Sequence, residues 1–479
     1  MGGTTKMRRS KKIAVAGATG YVGGHLVPAL HNAGYHIRCL ARTPEKLSGR
    51  PWDYAEVVQA DVFDLPSLES ALSDIDIAFY LIHSMENSSD FTEQDNRAAS
   101  NFAEMAKHNG VQRIIYLGGL GGDDDTLSRH LQSRQEVGRL LGKTGIPVTE
   151  LRASVIIGSG SASFEIIRDL AKKLPLMITP RWVNSLCEPI SIENVIKYLV
   201  GTLETPETVG EVLEIGGGDV LAYSEMLRKV SASLGRPLFM IKVPVLTPRL
   251  SAYWLNLVTS VPMQIAYPLV DGLRNDTICH DFRIREWIPQ ELHSFDTSIR
   301  LALAEDEEIV QSRWTEASVQ SFSKEIGDSD LIFRDVRTVE SEFTVPELFD
   351  RVKQIGGETG WYSVDWAWKL RGLLDRIIGG VGMRRGRRDP ADMRIGDVID
   401  FWRVVDYEPV RYLRLQAEMK LPGQAWLEFE VMESENSRAK LIQTASFIPS
   451  GFLGHLYWYM LYPAHNLIFH TMARNIASE

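Results

Sequence analysis

Short apolar runs alternate with helical patterns from residue 11 to residue 240 of the chain. Helical stretches such as "GYVGGHLVPALHNAG" and "EQDNRAASNFAEMAKHNG" separate these runs, and Gly34 and Gly110 end the two helices as C-terminal caps. Strands that alternate with helices form βαβ units, which assemble into a parallel sheet with helices on both faces. The sequence therefore predicts a doubly wound α/β domain. Its predicted strands are "KKIAVAGA", "HIRCLAR", "EVVQAD", "IDIAFYLI", "RIIYLGG" and "VTELRASVII".

The pattern changes in the last third of the chain, where apolar and polar residues alternate one by one. Leu413 and Leu415 in "RYLRLQAEM" fall on one face, as do Leu427 and Phe429 in "WLEFEV". A period of two is typical of antiparallel strands with one buried face. With an aromatic-rich helical segment at 453–477, this predicts an α+β domain with a curved antiparallel sheet and a long C-terminal helix. The predicted boundaries are a disordered lead-in at 1–10, domains at 11–305 and 326–479, and a linker at 306–325.

Composition and charge narrow the range of partners. The chain has 52 Lys and Arg against 62 Asp and Glu, a net charge of −10, which argues against nucleic acid as the main partner. Cys39, Cys187 and Cys279 lie far apart and form no disulfide framework or zinc motif, and we predict no bound metal. The N-terminal residues lack the apolar core of a signal peptide. We expect a cytoplasmic protein, with peripheral contact at the inner membrane face as a second option.

Two apolar stretches come closest to membrane-compatible sequence, "VPVLTPRLSAYWLNLVTSVPMQIAYPLV" and "GFLGHLYWYMLYPAHNLIFH". Proline and either arginine or histidine interrupt both, and the chain has no run of about 18 apolar residues, so we predict no spanning helix. The two stretches are interpreted as buried helices, with a lipid-facing surface as the alternative.

The motif "AVAGATGYVGGHL" follows the first predicted strand and opens the first helix. Gly17 permits a tight turn, Gly20 lets a pyrophosphate approach the backbone, and Gly23 allows the helix to pack on the sheet. The free amides at the start of the helix then face the phosphates. This context predicts a dinucleotide-binding loop of the Rossmann type; a structural glycine-rich turn is the alternative. The loop also contains Thr19, Tyr21 and Val22.

The residues after the second and third strands bear on the choice of cofactor. An NAD site carries an acidic residue after the second strand, whereas this sequence has Arg42 there, with Lys46 one helical turn on. A guanidinium suits a 2′-phosphate, so NADP(H) is preferred; the alternative is that Arg42 merely stacks on the adenine, which tolerates either cofactor. Asp61 is placed either to hydrogen-bond the adenine or to cap the next helix. Further predicted cofactor contacts are Val62, Leu81 and Arg134.

These motifs resemble the short-chain dehydrogenase/reductase superfamily in its extended and atypical, NmrA-like branches. The resemblance covers roughly residues 11–300 and rests on "GATGYVG" and on "CEPISIENVIKYLV" followed by "EVLEIGGGDVLAYSEML". Later stretches, among them "FWRVVDYEP" and "AEMKLPGQAWLEFEV", are similar to a C-terminal domain of unassigned function that bacteria fuse to an atypical NAD(P)H-binding domain. That domain resembles the helix-grip superfamily of polyketide cyclases and START proteins, which implies a cavity for a hydrophobic ligand.

Active members of the dehydrogenase superfamily use a Tyr-x-x-x-Lys helix and a serine after the fifth strand. The stretch "HLQSR" aligns with that helix, so His130 takes the tyrosine place, Ser133 is kept and Arg134 takes the lysine place. The serine place is Gly118 or Gly119. Arg134 can hold the nicotinamide ribose but cannot relay a proton, whereas a histidine, with an ordinary pKa of about 6.5, can act as a general acid. The missing serine favours hydride delivery to a polarised C=C bond or a quinone-like ring.

Several of these candidates have more than one interpretation. His130 is a candidate catalytic residue, a cofactor or substrate contact, or a plain helix-surface residue. His83 in "YLIHSM" is a second candidate proton donor or a structural histidine, and Ser84 is a weaker candidate. The charge run Asp123–Asp125 is interpreted as a solvated loop without a metal-ligand pattern.

The second domain carries no catalytic constellation in its sequence. A cluster of arginines in "GMRRGRRDP" is either a solvated loop or a contact for anionic lipid headgroups or an acidic ligand. These arginines are Arg384, Arg385, Arg387 and Arg388. The tryptophans interpreted as core or cavity lining are Trp361, Trp366, Trp368, Trp426 and Trp458.

The sequence leads to one main hypothesis and two alternatives. The main hypothesis is an NADP(H)-dependent reductase that acts on a hydrophobic, lipid- or quinone-like molecule bound by, or shared with, the C-terminal domain. The first alternative is a non-catalytic NAD(P)H-binding sensor or assembly factor, since the usual Tyr, Lys and Ser are replaced. The second is a lipid carrier regulated by nucleotide. The oligomeric state stays open.

Overall fold

The computed structural model describes most of the chain, which divides into two compact units: unit 1, Met1–Ser318, and unit 2, Val319–Glu479. The predicted lead-in at 1–10 and most of the predicted linker, 308–325, lie outside the described residues. The described residues are 11–48, 50–82, 91–121, 127–174, 176–179, 181–242, 271–272, 275–307, 333–357, 359–363, 365–377, 382, 387–389, 392–433, 438–449 and 451–478.

The strands of unit 1 are β1 (Lys12–Ala16), β2 (His36–Ala41), β3 (Ala55–Gln59), β4 (Ile77–Tyr80), β5 (Arg113–Gly119), β6 (Val148–Ala153), β7 (Ile156–Ile157), β8 (Leu176–Thr179), β9 (Leu186–Cys187), β10 (Ile190–Ser191), β11 (Val212–Ile215), β12 (Leu221–Ala222) and β13 (Phe239–Lys242). Seven of them form a parallel sheet in the order β11-β6-β5-β4-β1-β2-β3. All six predicted strands are present, which confirms the doubly wound fold. The order reverses beside β1, where ligands bind in open α/β sheets.

Helices cover both faces of this sheet. The helices are α1 (Tyr21–Asn32), α2 (Glu45–Ser48), α3 (Leu65–Leu72), α4 (Phe91–His108), α5 (Arg129–Gly142), α6 (Ala162–Lys173), α7 (Ile192–Gly201), α8 (Tyr223–Ser233), α9 (Arg283–Trp287) and α10 (Phe295–Glu307). In β1, Ile13 and Val15 pack toward α1 and α7, whereas Ala14 and Ala16 pack toward α3, α4 and α5, as the alternation of side chains along a strand requires. Gly34 and Gly110 follow α1 and α4 with φ of 86° and 74°, which confirms both predicted caps.

A smaller subdomain of unit 1 lies beyond the carboxyl ends of β6 and β11. It contains the two-stranded pairs β7–β10, β8–β13 and β9–β12, and a separate apolar core joins α6, α8 and α10. The first of the two apolar stretches noted in the sequence, at 243–270, lies outside the described residues. Among the residues that are described, no helix is long and apolar enough to cross a membrane.

Unit 2 is built on an antiparallel six-stranded sheet. Its elements are β14 (Phe333–Ser341), α11 (Val345–Lys353), α12 (Asp365–Ile377), β15 (Val398–Ile399), β16 (Trp402–Glu408), β17 (Tyr412–Ala417), β18 (Gly423–Glu433), β19 (Ala439–Pro449) and α13 (Gly451–Ala477). The strand order is β14-β19-β18-β17-β16-β15, and α13 packs against β14 and β19. The predicted α+β architecture with a long C-terminal helix is confirmed; the helix-grip resemblance stays a prediction.

The tryptophans of unit 2 divide into two groups. Trp361, Trp368, Trp426 and Trp458 are at most 7% exposed, as predicted for core residues. Trp366 is 68% exposed, so its prediction as a core residue is wrong. The spacing explains the difference, because Trp366 and Trp368 lie about 200° apart around a helix of 3.6 residues per turn.

The described part of the arginine cluster is neither solvated nor free for a lipid headgroup. Arg388 is 7% exposed and forms a bidentate pair with Asp397, with N–O distances of 2.9 and 3.1 Å. Arg387 donates to the backbone carbonyls of Lys353, Ile355 and Asp389. The solvated-loop interpretation is therefore wrong for Arg388, whose charge is paired inside unit 2, whereas contact of Arg387 with an acidic ligand stays a prediction. Arg384 and Arg385 lie outside the described residues.

Candidate cofactor-binding site

The loop between β1 and α1 has a shape that only glycine fits at two positions. Gly17 has a φ of 97°, and a Cβ there would lie 2.8 Å from the Leu81 carbonyl oxygen. A Cβ on Gly23 would lie 2.2 Å from the Gly17 carbonyl oxygen. Leu81, in turn, is held to β1 by a backbone hydrogen bond to Ala16. The glycines therefore bring the end of β1, the end of β4 and the start of α1 together.

The first turn of α1 presents backbone donors to this loop. Gly24 donates to the Gly20 carbonyl at 2.8 Å, which is the first hydrogen bond of the helix. The amides of Tyr21, Val22 and Gly23 therefore have no acceptor four residues earlier within the helix. The N-cap, Gly20, has no side chain to satisfy them. Unfilled amides at the positive end of a helix are suited to bind phosphate. The loop, with Thr19 inside it, therefore fits the pyrophosphate of a dinucleotide.

The Tyr21 side chain has a packing role rather than a cofactor-facing one. Its hydroxyl is buried and would meet a Cβ on Gly158 at 2.1 Å, and its ring lies edge-on to His25. Burial raises the pKa of the phenol well above its usual range. Tyr21 therefore contributes its backbone amide to the loop, while its ring packs α1 against the start of the smaller subdomain.

The carboxyl end of β2 carries the predicted 2′-phosphate ligands. Arg42 follows β2 directly and is exposed, and among the described residues no side chain pairs with its guanidinium. Lys46 lies on α2. Its backbone amide donates to the Thr43 carbonyl, which holds the first turn of α2 against the residues that follow β2. A cation at this strand end is placed where the adenosine ribose lies in sheets of this order.

Asp61 closes the loop after β3. Its Oδ1 accepts from the Phe63 amide at 2.9 Å, and Asn101 donates to the Val62 carbonyl at 2.8 Å, which fixes the loop to α4. The N-cap of α3 is Asp64, so the interpretation of Asp61 as that cap is wrong. Asp61 therefore forms an Asx-type turn after β3, at the edge of the sheet where its contact with the adenine is predicted.

Arg134 reaches from α5 to the carboxyl end of β5. One guanidinium nitrogen donates to the Leu117 carbonyl, and the guanidinium carbon lies 4.8 Å from the centroid of the Tyr116 ring. The other terminal nitrogen, Nη1, is buried without a hydrogen-bond partner among the described residues. An unfilled buried donor is unfavourable in isolation, and a ribose hydroxyl would satisfy it. Arg134 therefore fits the role of the missing lysine in holding a nicotinamide ribose.

The predicted serine place is closed. A Cβ on Gly119 would lie 2.9 Å from Leu131 Cδ2 and 3.7 Å from Arg134 Cγ, and a Cβ on Gly118 would lie 2.9 Å from Glu150 Oε1. Leu131 of α5 thus occupies the space beside Gly119, and Glu150 of β6 occupies the space beside Gly118. A serine at either place would require one of these side-chain ends to shift, so neither place has room for a polarising hydroxyl in this packing.

His130 and Ser133 lie in the first two turns of α5. The helix begins after Ser128, whose hydroxyl accepts from the Leu131 amide at 3.3 Å, and His130 is half-buried. Ser133 is 1% exposed, and its hydroxyl has no partner among the described residues. His83, Ser84 and Asp123–Asp125, all predicted near this edge, lie outside the described residues.

The nearby tyrosines do not replace the missing catalytic tyrosine. Tyr116 donates its hydroxyl to the Arg134 carbonyl at 2.9 Å. Burial raises the pKa of Tyr116 far above its usual range, and the Arg134 guanidinium only opposes that shift. Tyr80 is 1% exposed, and burial raises its pKa as well. Both phenols therefore stay protonated and buried between the sheet and the helices.

The sequence did not predict a group of polar residues at the carboxyl edge of the sheet, near the start of α5. The hydroxyls of Ser154 and Thr277 lie 2.6 Å apart, and Asn275 accepts from the Ser128 amide at 3.0 Å. Ser154 follows β6 and could have been found, because functional residues collect at carboxyl strand ends. Asn275 and Thr277 come from a distant segment without a motif. No group of three or more potential metal ligands occurs among the described residues.

Comparisons with known proteins agree with this geometry. Residues 17–159 match the NAD(P)H-binding family, and residues 329–472 match the family described as protein of unknown function (DUF2867). The NADPH-dependent quinone oxidoreductase QOR2 of Escherichia coli, solved with NADPH, is 20% identical and superposes with a TM-score of 0.50. That match covers 60% of this chain and 98% of the oxidoreductase, and the likeness shows the fold.

Two curated relatives match parts of the chain. The auxiliary protein GraX of Staphylococcus aureus is 30% identical over 144 residues, which is 29% of this chain and 42% of GraX. The mitochondrial NADH dehydrogenase (ubiquinone) 1 alpha subcomplex subunit 9 of Dictyostelium discoideum is 26% identical over 223 residues, which is 44% of this chain and 61% of the subunit. The chain thus spans about half the length of these relatives. It combines an NAD(P)H-binding Rossmann domain with a C-terminal DUF2867 domain of unknown function.

Proposed function

We propose that this protein is an NADPH-dependent reductase whose hydride acceptor is a polarised C=C bond or a quinone-like ring in a hydrophobic molecule. The observation that carries the proposal is the contrast at the sheet edge. The phosphate loop is complete, while the two glycines at the place of the carbonyl-polarising serine, Gly118 and Gly119, are packed against Glu150 and Leu131. A conjugated acceptor needs that serine less, because its own electronic system spreads the negative charge as hydride arrives.

The residues at the edge have separate roles in this proposal. A bound nicotinamide would supply the hydride. Arg134 orients the ribose through Nη1, and Leu131 contributes an apolar wall that excludes water. His130 holds the proton for the acceptor oxygen, since an imidazole titrates near neutral pH and α5 positions it at the edge.

The preference for NADPH rests on Arg42. Arg42→Ser is expected to weaken NADPH binding about tenfold to a hundredfold, which corresponds to the loss of a charge-assisted hydrogen bond, and to leave NADH binding nearly unchanged. Nicotinamide fluorescence titrations of both cofactors measure this. Arg228→Ser, at another exposed arginine of unit 1, is the matched control. Equal losses for NADPH and NADH would contradict the assignment of the 2′-phosphate.

The proposal that the substrate is apolar is based on a buried polar side chain in unit 2. Gln443 lies on the inner face of the sheet beneath α13, is 1% exposed, and has an Oε1 without a partner among the described residues. Its Nε2 donates to the Phe469 carbonyl of α13, and Phe429 and Leu441 are its buried neighbours in the sheet. A buried acceptor in apolar surroundings suits a largely apolar molecule with one donor. Mass spectrometry of molecules that co-purify with the protein, and with Gln443→Leu, tests this.

The reaction itself is tested by following NADPH oxidation with a quinone, an α,β-unsaturated ketone and an aliphatic aldehyde. We expect turnover of one or both conjugated acceptors and none of the aldehyde. His130→Ala should lower kcat by about a hundredfold, in the range of lost general acid catalysis, while His108→Ala, at an exposed histidine of α4, should not. Turnover of the aldehyde alone, or equal rates for both variants, would contradict the proposal.

A non-catalytic NAD(P)H-binding protein is the second candidate. The observation that favours it is the use of Arg134 to pack on Tyr116 and donate to Leu117, a structural role. The name of the Dictyostelium relative, a subunit of a larger complex, is consistent with it. Tight NADPH binding without turnover of any of the three acceptors would select this candidate.

A further inference from the structure

Helix α12 of unit 2 exposes an apolar stripe. Trp366, Leu370, Leu373 and Leu374 are 68%, 48%, 43% and 50% exposed. Their spacing of four, three and one residues puts them on one side of a helix. We call these four residues the α12 face. On the opposite side, Trp368 is 7% exposed and packs on Trp361, Phe401 and Phe469. The helix is therefore anchored by one side, and no described residue covers the other.

The charge of this helix is positive although the whole chain is acidic. Its sequence carries Lys369, Arg371 and Arg376 against Asp365 and Asp375. Asp375 is 0% exposed and accepts from the backbone amides of Gly382 and Lys420, at 2.9 and 2.8 Å. That carboxylate also lies 4.0 Å from the Arg371 guanidinium, so it offsets one cation from inside unit 2, and the helix keeps an excess of one positive charge.

A further cation and a second apolar surface adjoin the helix. Lys420 is exposed on the turn between β17 and β18, and its carbonyl accepts from Arg371 at 3.3 Å. The same turn touches the start of α13, where a Cβ on Gly454 would lie 2.4 Å from the Pro422 carbonyl oxygen. From there α13 exposes further large apolar side chains: Leu456 at 50%, Tyr459 at 65% and Met460 at 68%.

We propose that the α12 face docks unit 2 on a lipid surface with anionic headgroups, with the helix lying in the plane of the interface. An amphipathic helix with tryptophan and leucine on one side and cations beside them is suited to this position. Tryptophan prefers the interface, and each nearby cation adds attraction to anionic lipid. Docking would bring the protein to the membrane, in which its apolar substrate dissolves. Docking nevertheless does not depend on the proposed reaction.

The charge favours lipid over a second copy of the chain. In a two-fold symmetric dimer the same patch faces itself, so a helix with an excess of one positive charge would be brought against its own copy. An anionic membrane instead provides the complementary charge. Binding should therefore weaken as salt is raised.

The test is co-sedimentation of the full-length protein with vesicles of phosphatidylcholine alone and with vesicles that also contain phosphatidylglycerol. We expect binding to the anionic vesicles that falls with added salt. The double variant Leu370→Gln/Leu373→Gln should bind at least about tenfold more weakly, because two exposed leucines no longer enter the lipid. Leu301→Gln, at a 38% exposed leucine on α10 of unit 1, is the matched control and should bind like the wild type.

Two results would overturn the proposal. One is wild-type protein that ignores anionic vesicles, or a double variant that binds them equally well. The other is a change from dimer to monomer in the double variant, measured by light scattering, without any vesicle binding; it would assign the α12 face to self-association. NADPH titration of each variant shows that unit 1 remains folded, and NADPH turnover is scored separately, so failure of docking and failure of the reductase proposal are distinguishable.

Discussion

The two ends of the candidate cofactor site are built in different ways. At the β1–α1 end, backbone amides and glycines form the phosphate loop, and the Cβ positions of Gly17 and Gly23 are filled by neighbouring carbonyls. At the β5–α5 end, side chains form the surface, and Leu131 and Arg134 stand where a dehydrogenase would expose a serine and a lysine. The first end keeps the superfamily pattern, and the second departs from it.

This difference shows that cofactor binding and chemistry can separate within one fold. A phosphate loop depends on backbone shape, which tolerates few substitutions at Gly17 and Gly23 because a Cβ there would collide with a neighbouring carbonyl. The β5–α5 end depends on side chains, which can be replaced by others while α5 still packs on the sheet. The backbone of the phosphate loop therefore supports dinucleotide binding directly, whereas the side chains at the β5–α5 end do not define one reaction.

The largest expected effect is at Gly20. Its φ of −79° and ψ of 171° suit any residue, and it is the N-cap of α1, so Gly20→Asp should fold as well as the wild type or better. The new carboxylate would meet the phosphates directly. We expect NADPH affinity to fall at least about a hundredfold, or about 2.7 kcal/mol, measured by isothermal titration calorimetry.

Gly20→Ser is the matched control, since it caps the helix without charge; because its hydroxyl also occupies an amide that would bind phosphate, we expect a smaller loss of affinity than for Gly20→Asp. Thermal unfolding of both variants without cofactor checks that the fold persists. Strong NADPH binding by Gly20→Asp would mean that the β1–α1 end does not hold the phosphates.

The second effect tests the closed β5–α5 end. Gly119→Ser forces an atom to within 2.9 Å of Leu131, and we expect a loss of about 1–3 kcal/mol in unfolding free energy from overpacking. Leu131→Ala added to it should recover part of that loss, so the two changes would be non-additive in urea denaturation. Gly142→Ser, where a Cβ has ordinary contact at 3.8 Å, should be neutral. Unchanged stability of Gly119→Ser would show that the serine place is open.

The smallest effect concerns Arg134. Arg134→Met keeps the volume of the side chain but removes its donors, and we expect NADPH to bind about tenfold more weakly, or about 1.4 kcal/mol. The readout is the increase in melting temperature on adding NADPH, which separates binding from the stability lost with the Tyr116 contact. Arg139→Met, at an exposed arginine of the same helix, should give the wild-type increase. An identical increase for Arg134→Met would make Arg134 purely structural.

The sequence was most informative where the signal is local. The six strands, the glycine caps at Gly34 and Gly110 and the long C-terminal helix were all predicted, because alternation and turn residues reflect backbone preferences over a few positions. Trp366 and Arg388 were predicted wrongly for the opposite reason. Both lie in segments whose composition is clear, but whether a side chain faces the core depends on the surface against which its segment packs.

What the sequence determined by itself is the class of each unit and the presence of a phosphate loop, since hydrophobic period and glycine spacing are properties of the chain alone. Only the tertiary structure decided that Leu131 fills the space beside Gly119, that one buried donor of Arg134 has no partner among the described residues, and that Asn275 meets the start of α5. These contacts join residues far apart along the chain or depend on how closely α5 approaches β5. Packing distance is fixed by the whole core, and no local pattern encodes it.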